Sequence, residues 1–215
     1  MTVAAKICGI GSEAAMAAAV DGGARYVGLV FYPPSPRYVA PDAAAALAAP
    51  VPAGVEKVGL LVDADDATIA AILDRVALDR LQLHGGESPD RVAAIKARFG
   101  MPVMKAVKVA GADDLDAVDL YAGVADMILF DAKPPKDMKG ALPGGNALAF
   151  DWQLLAGRTW PLPWMLSGGL DAGNVAEAVA ISGAPAVDVS SGVEERPGQK
   201  DPAKIKAFLT TVASL

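Results

Sequence analysis

The chain has 215 residues, 53% of them hydrophobic and 20% charged, so it can bury one large core or two small ones. Its net charge is −6 with acidic and basic residues mixed throughout, and the absence of a Lys/Arg run argues against nucleic acid as a partner. No uninterrupted apolar run reaches the roughly 18 residues that a membrane span needs.

Short apolar runs alternate with longer helical ones along the whole chain. Val3–Cys8 predicts a strand and Ser12–Gly22 a helix. Tyr26–Phe31 is the second strand, followed by a Pro-rich loop and a helix from Pro41. Lys57–Val62 is the third strand, with a helix over Asp65–Arg75. Arg80–His84 is the fourth, with a helix over Ser88–Arg98. Val103–Val107 is the fifth, with a helix over Ala112–Tyr121. Met127–Asp131 is the sixth, followed by a long loop and a short helix from Asp151. Trp164–Leu166 is the seventh, with a helix over Asn174–Ile181. Ala186–Val189 is the eighth, and Pro202–Leu215 is the closing helix. Ser12, Asp65, Ser88 and Asp201 are suited to cap helix starts. Gly22, Gly100 and Gly183 stand where helix ends are expected.

Most of the strands are continuous apolar runs, as parallel strands covered on both faces require. Eight β–α units without a break in composition predict an α/β fold, a compact (β/α)8 or TIM barrel of parallel strands, with residues 1–215 as one domain. The alternative is an open doubly wound sheet with a Gly-rich first turn. Ile7-Cys8-Gly9-Ile10-Gly11 has two glycines but lacks the third at the fingerprint spacing.

A barrel does its chemistry at the C-terminal ends of its strands. Strands seven and eight end in Ser167-Gly168-Gly169 and Ser190-Ser191-Gly192, small-residue turns with accessible N–H groups. Together they predict a phosphate site at the position where barrels often build one. An acidic chain must build such a site locally. Cys8 ends strand one and Asp131 ends strand six, so they are candidates for a general base and a general acid. From position alone, Cys8 is equally a small buried hydrophobe. The alternative for Asp131 is a helix cap or a loop salt bridge, but it directly follows Ile128-Leu129-Phe130, where apolar walls favour the protonated form an acid needs. A thiol needs N–H dipoles or a cation nearby to ionise at neutral pH. Lys6 shares the face of Cys8 but at another depth, and is not counted as that cation. Arg37 follows a rigid Pro-rich loop, and reads either as a carboxylate clamp or as a solvated loop residue. One histidine, His84, and one cysteine make no zinc site and no internal disulfide. A cytoplasmic setting follows from the lone cysteine and from an N-terminus that Lys6, Glu13 and Asp21 interrupt, which makes a poor secretory signal.

Several segments then occur in one order across nearly the whole chain. They are Lys6-Ile7-Cys8-Gly9, the run from Gly28 through Ser35-Pro36-Arg37-Tyr38, and Leu81-Gln82-Leu83-His84-Gly85. Leu129-Phe130-Asp131-Ala132, Phe150-Asp151-Trp152, Ser167-Gly168-Gly169-Leu170 and Asp188-Val189-Ser190-Ser191-Gly192-Val193-Glu194 follow. On these segments the chain resembles the phosphoribosylanthranilate isomerases of tryptophan biosynthesis. The resemblance implies an Amadori rearrangement of N-(5-phosphoribosyl)anthranilate to 1-(2-carboxyphenylamino)-1-deoxyribulose 5-phosphate, the third step from chorismate, without cofactor or metal. It implies Asp131 as the acid that opens the ribose ring and Cys8 as the base at C2. Arg37 would face the anthranilate, while His84 and Asp188 would contact and orient the substrate. Gly168, Gly169, Ser190, Ser191 and Gly192 would hold the phosphate. The expected partner is this phosphorylated small molecule, with no membrane or nucleic acid, on a monomer or homodimer.

The chain departs from the family once. Gly144-Gly145-Asn146-Ala147 stands where members carry a Gly-Gly-Ser/Thr-Gly turn, so a glycine and a hydroxyl are lost on the expected phosphate side. Rival barrel enzymes fit less well. An indole-glycerol-phosphate synthase would want Lys and Glu at early strand ends, and a ribulose-phosphate epimerase would want a His/Asp metal cluster. A barrel that binds a phosphorylated ligand without turnover is a third alternative.

Overall fold

The computed structural model describes residues 2–135, 142, 144–146 and 148–215. Eight parallel strands close into a barrel in chain order. They are β1 (Ala4–Cys8), β2 (Tyr26–Val30), β3 (Glu56–Leu61), β4 (Arg80–Leu83), β5 (Val103–Val109), β6 (Met127–Ala132), β7 (Trp164–Leu166) and β8 (Ala186–Val189). β1 closes the barrel by pairing with both β2 and β8. The register sets Lys6 beside Tyr26 on one side and beside Asp188 on the other.

Helices α1 (Glu13–Asp21), α2 (Pro41–Ala48), α3 (Asp66–Leu73), α4 (Pro89–Phe99), α5 (Ala117–Tyr121), α6 (Val175–Ser182) and α7 (Pro202–Ala213) follow their strands. The predicted caps form. Ser12, Asp65 and Ser88 each accept a bond from the N–H three residues on, and Asp201 accepts from Ala203.

Successive side chains of a strand point to opposite faces. One set, with Ile7, Val27, Leu81, Ile128 and Phe130, packs outward against the helices in a large shell. The other set fills the barrel with Tyr26, Val58, Met104, Ala106, Met127, Leu129, Met165 and Ala186. Full burial of one such side chain stabilises by about 1.5–3 kcal/mol. This apolar plug ends part-way up the barrel. Above it the inward positions turn polar, with Lys6, Gln82 and Asp188 buried, then His84 and Asp131.

Apart from shifts of one or two residues at element ends, the structure differs from the sequence reading in three places. The helix predicted over Ala112–Tyr121 starts as a 3-10 turn over Ala112–Asp116 and becomes α only in α5. The Asp114 carboxylate accepts from the N–H of Ala110 (2.8 Å) and Gly111 (3.2 Å), which winds this first turn tightly. The short helix from Asp151 is a 3-10 turn, Trp152–Leu154, capped by Asp151. Beyond β8 a 3-10 turn, Ser191–Val193, leads into a small hairpin of β9 (Glu194–Arg196) and β10 (Gln199–Lys200) that the sequence reading lacks. This hairpin folds Lys200 back onto Glu194.

Candidate active site

A solvent-open cavity of about 730 Å³ occupies the C-terminal mouth of the barrel. Cys8, Arg37, His84, Asp131, Asp188, Gly168, Gly169, Ser190 and Ser191 all line it. Nine of the ten site residues expected from the sequence therefore share one cavity. Gly192 lies outside the lining; a side chain there would run into the Leu170 carbonyl, so it seats the turn beneath the mouth.

Cys8 is buried at the end of β1. Lys6, two residues earlier, is fully buried, and its Nζ donates to Asp188 Oδ1 at 2.9 Å. The other Asp188 oxygen accepts from Ser167 Oγ, also at 2.9 Å. Gly28 of β2 leaves the space the two groups share. A Cβ there would lie 3.0 Å from Cys8 Sγ and 3.2 Å from Lys6 Nζ. Burial pushes the Cys8 thiol up, the Lys6 ammonium pulls it down, and the Asp188 carboxylate adds to the rise. Burial by itself would lower Lys6, but Asp188 and Cys8 together hold it above the ordinary lysine range. The expectation that Lys6 stands at the wrong depth for Cys8 is thus corrected. A long flexible side chain spans the step between strand positions that backbone depth alone suggests.

Asp131 is buried at the end of β6. Its Oδ1 accepts from its neighbour's N–H, Ala132, at 3.0 Å. Its Oδ2 lies 3.0 Å from His84 Nε2, and His84 Nδ1 lies 2.9 Å from Gln82 Nε2. The lone histidine is therefore the direct neighbour of the candidate acid. The loop after β4 is pinned beneath it. Glu87 accepts from the N–H of Asp63 (2.9 Å) and Gly85 (3.0 Å) and from Lys105 Nζ (3.0 Å). Burial alone would raise the Glu87 carboxyl, but the Lys105 ammonium and these N–H groups hold it below the usual range.

Arg37 is buried, which removes the reading as a solvated loop arginine. It grips the Glu194 carboxylate with Nε (2.8 Å) and Nη2 (2.9 Å), and Nη2 also donates to the Gly145 carbonyl (3.1 Å). Glu194 accepts a third bond from Lys200 at 2.7 Å. Lys200 also donates to the Ser190 carbonyl (2.8 Å), and Ser190 Oγ donates to the Cys8 carbonyl (3.1 Å). One chain of contacts thus ties the Pro-rich loop to the turn after β8 and to the end of β1.

Gly168 and Gly169 both take left-handed φ values, +94° and +62°. A Cβ on Gly168 would stand 2.8 Å from Ala132 N, and one on Gly169 would stand 2.8 Å from Leu148 C. Only glycine fits this turn. Leu142, Gly144, Gly145, Asn146 and Leu148 also line the cavity, while Ala147 lies outside the described residues. Asn146 closes its turn on Leu142, accepting from N–H at 3.0 Å and donating to C=O at 2.8 Å. Among the described residues no group of three or more His, Cys, Asp or Glu could hold a metal ion, and no helix is long and apolar enough to cross a membrane.

The sequence does not single out Lys6, Gln82, Glu194 and Lys200 as site residues, and it places Ser167 only within the expected phosphate turn. For Lys6 and Gln82 a signal exists: a polar side chain inside an apolar strand run, two residues before a strand-end candidate. Glu194 sits in a matched segment but has no local mark of its partner.

Comparison with known proteins agrees along the whole chain. A family model described as N-(5'phosphoribosyl)anthranilate (PRA) isomerase matches residues 5–211. The N-(5'-phosphoribosyl)anthranilate isomerase of Rhodospirillum centenum is 63% identical over 215 residues, covering 100% of both chains. The crystal structure of phosphoribosyl anthranilate isomerase from Thermotoga maritima superposes with a TM-score of 0.87 at 36% identity, covering 99% of this chain and 100% of that one. A phosphoribosyl anthranilate isomerase in complex with reduced 1-(o-carboxyphenylamino)-1-deoxyribulose 5-phosphate does so at 0.85 and 34%, with the same coverage.

Proposed function

The chain belongs to the N-(5'-phosphoribosyl)anthranilate isomerase family, and on that premise we propose how its barrel mouth carries out the Amadori rearrangement, the third step of tryptophan synthesis from chorismate. Asp131 gives its proton to the ribose ring oxygen as the C1–O bond breaks, and the anthranilate nitrogen lone pair forms the Schiff base. Cys8, as thiolate, removes the proton from C2, and the electron pair moves onto the nitrogen to give the enolamine. Tautomerisation to the ketone completes an isomerisation in which hydrogen passes from C2 to C1. Both steps are proton transfers between placed groups, so the reading calls for no cofactor and no metal.

The observation that carries this reading is the pairing at the mouth. Cys8 stands over the Lys6 ammonium, and Asp131 stands against His84, on two strands facing one cavity. Lys6 supplies the cation that a buried thiolate needs. Arg37, held rigid by Glu194, faces the anthranilate end. Asp188 orients the ribose, and His84 backs the acid. The Gly168-Gly169 and Ser190-Ser191-Gly192 turns take the phosphate through backbone N–H groups. Residues 1–215 act as one domain, in the cytoplasm, on a phosphorylated small molecule and as a monomer or homodimer.

The test is growth of a tryptophan auxotroph that lacks this step. Expression of the chain is expected to restore growth without tryptophan. Soluble protein without rescue would overturn the substrate assignment. Direct conversion of N-(5-phosphoribosyl)anthranilate separates an enzyme from a barrel that only binds it.

A further inference from the structure

β1 and β8 pair as far as Ile7 and Val189, and there the register ends. The next pair would be Cys8 with Ser190. Ser190 instead leaves the strand, with φ −128° and ψ −76°, to enter the turn over Ser191–Val193. Its side chain carries the link on by one more residue. Ser190 Oγ lies 3.1 Å from the Cys8 carbonyl oxygen, and Lys200 Nζ lies 3.1 Å from Ser190 Oγ and 2.8 Å from the Ser190 carbonyl.

The donors and acceptors of this chain are fixed by their chemistry. A carbonyl oxygen only accepts, an ammonium only donates, and a hydroxyl has one hydrogen. The Ser190 hydrogen therefore goes to Cys8, and a lone pair of its oxygen faces Lys200. A phosphate dianion only accepts, so it finds no hydrogen on this hydroxyl. What Ser190 has left for a phosphate is its backbone N–H. The anchor behind the hydroxyl is itself fixed. Lys200 is buried and donates to Glu194 at 2.7 Å. Gly198, at φ +84°, lets its hairpin press on the Pro-rich loop, where a side chain would run into the Pro36 carbonyl.

We propose that the Ser190 hydroxyl is a positioning group for the isomerisation and not a phosphate ligand: anchored on Lys200, it holds the Cys8 carbonyl and with it the thiol at the end of β1. The proposal rests on the reading of Cys8 as the base. A proton-transfer group displaced by about 1 Å loses up to about 10²-fold in rate, so one misplaced strand end is enough to show in turnover.

The first reading needs no variant to fold. In a crystal of the unsubstituted protein with reduced 1-(o-carboxyphenylamino)-1-deoxyribulose 5-phosphate, Ser190 Oγ is expected to stay on the Cys8 carbonyl. A hydroxyl that leaves that carbonyl for a phosphate oxygen would overturn the proposal. In Ser190→Ala, kcat is expected to fall roughly tenfold, part of the about 10²–10⁴ a placed base contributes, while KM and the inhibition constant of inorganic phosphate each change less than about twofold. A folded Ser190→Ala that keeps its kcat would overturn the proposal, as would one whose loss lies in KM and phosphate affinity. Near-normal turnover in Cys8→Ala would sink the base reading whatever Ser190 does. An inactive Cys8→Ala beside a fully active Ser190→Ala sinks the Ser190 role alone.

Discussion

Glu194→Gln is the perturbation whose size the structure sets most clearly. The carboxylate is buried and accepts from Arg37 Nε, Arg37 Nη2 and Lys200 Nζ at 2.7–2.9 Å. Glutamine keeps the shape and one acceptor oxygen, but leaves two buried cations facing each other without their anion. Losing one partner of a buried ion pair costs about 3–5 kcal/mol. The cavity beside it is open to water, which screens the remaining cations, so the low end of about 3 kcal/mol applies. For a chain of this size that is a fall in Tm of roughly 6–12 °C. The assay is thermal unfolding by circular dichroism, with Asp42→Asn as internal control. Asp42 pairs with Arg75 at 2.7 Å, the same length, but with side chains 81% and 60% exposed. The control is expected to leave Tm unchanged within error. A Glu194→Gln protein melting with its control would refute the view that this carboxylate anchors Arg37 and Lys200.

Three further outcomes follow from the same contacts. Gly28→Ala puts a Cβ 3.0 Å from Cys8 Sγ and 3.1 Å from its Cα on the neighbouring strand. It is expected to cost about 1–3 kcal/mol in stability and to lower turnover at least roughly tenfold by displacing the proposed base; undiminished turnover in the folded variant would show that the thiol does not need this space. Because burial raises the Cys8 thiol from 9.0, kcat/KM is expected to keep climbing past pH 9, with the rate of Cys8 alkylation following the same curve. A plateau reached below about pH 8 would contradict a thiolate base in this setting. Glu87 and Glu194 are both held below their ordinary 4.5, Glu194 because Arg37 and Lys200 outweigh the rise from burial. The folded chain then binds these protons less tightly than the unfolded one. Their stabilisation is present above pH 4.5 and is lost as pH falls through the folded values. Urea midpoints measured downward from pH 7 are expected to drop below that point, and a flat profile to about pH 3 would argue against it.

The barrel was legible because most strands are apolar runs and α1, α3, α4 and α7 each start on a capping side chain. β7 and β8 have the predicted bounds. β5 runs two residues further than predicted, because Lys108 and Val109 find partners in Asp131 and Ala132 that no local pattern announces. The 3-10 turn at Ala112–Asp116 depends on one side chain, Asp114, folding back on its own backbone. Strand-end positions were enough to nominate Cys8 and Asp131, whereas His84 entered with the family resemblance. Their partners were not legible, since closure of the barrel decides them. Lys6 meets Asp188 only because β1 pairs with β8, 182 residues on, and Arg37 meets Glu194 across 157 residues. The hairpin that delivers Lys200 is too short to show a strand pattern.

Cys8 and Asp131 are the proposed base and acid of one isomerisation. The most direct measurement is turnover of N-(5-phosphoribosyl)anthranilate by Cys8→Ala and by Asp131→Asn, with folding checked by circular dichroism. Each is expected to lose at least about a hundredfold in kcat while remaining folded. Near-normal turnover in either folded variant would contradict the role given to that residue.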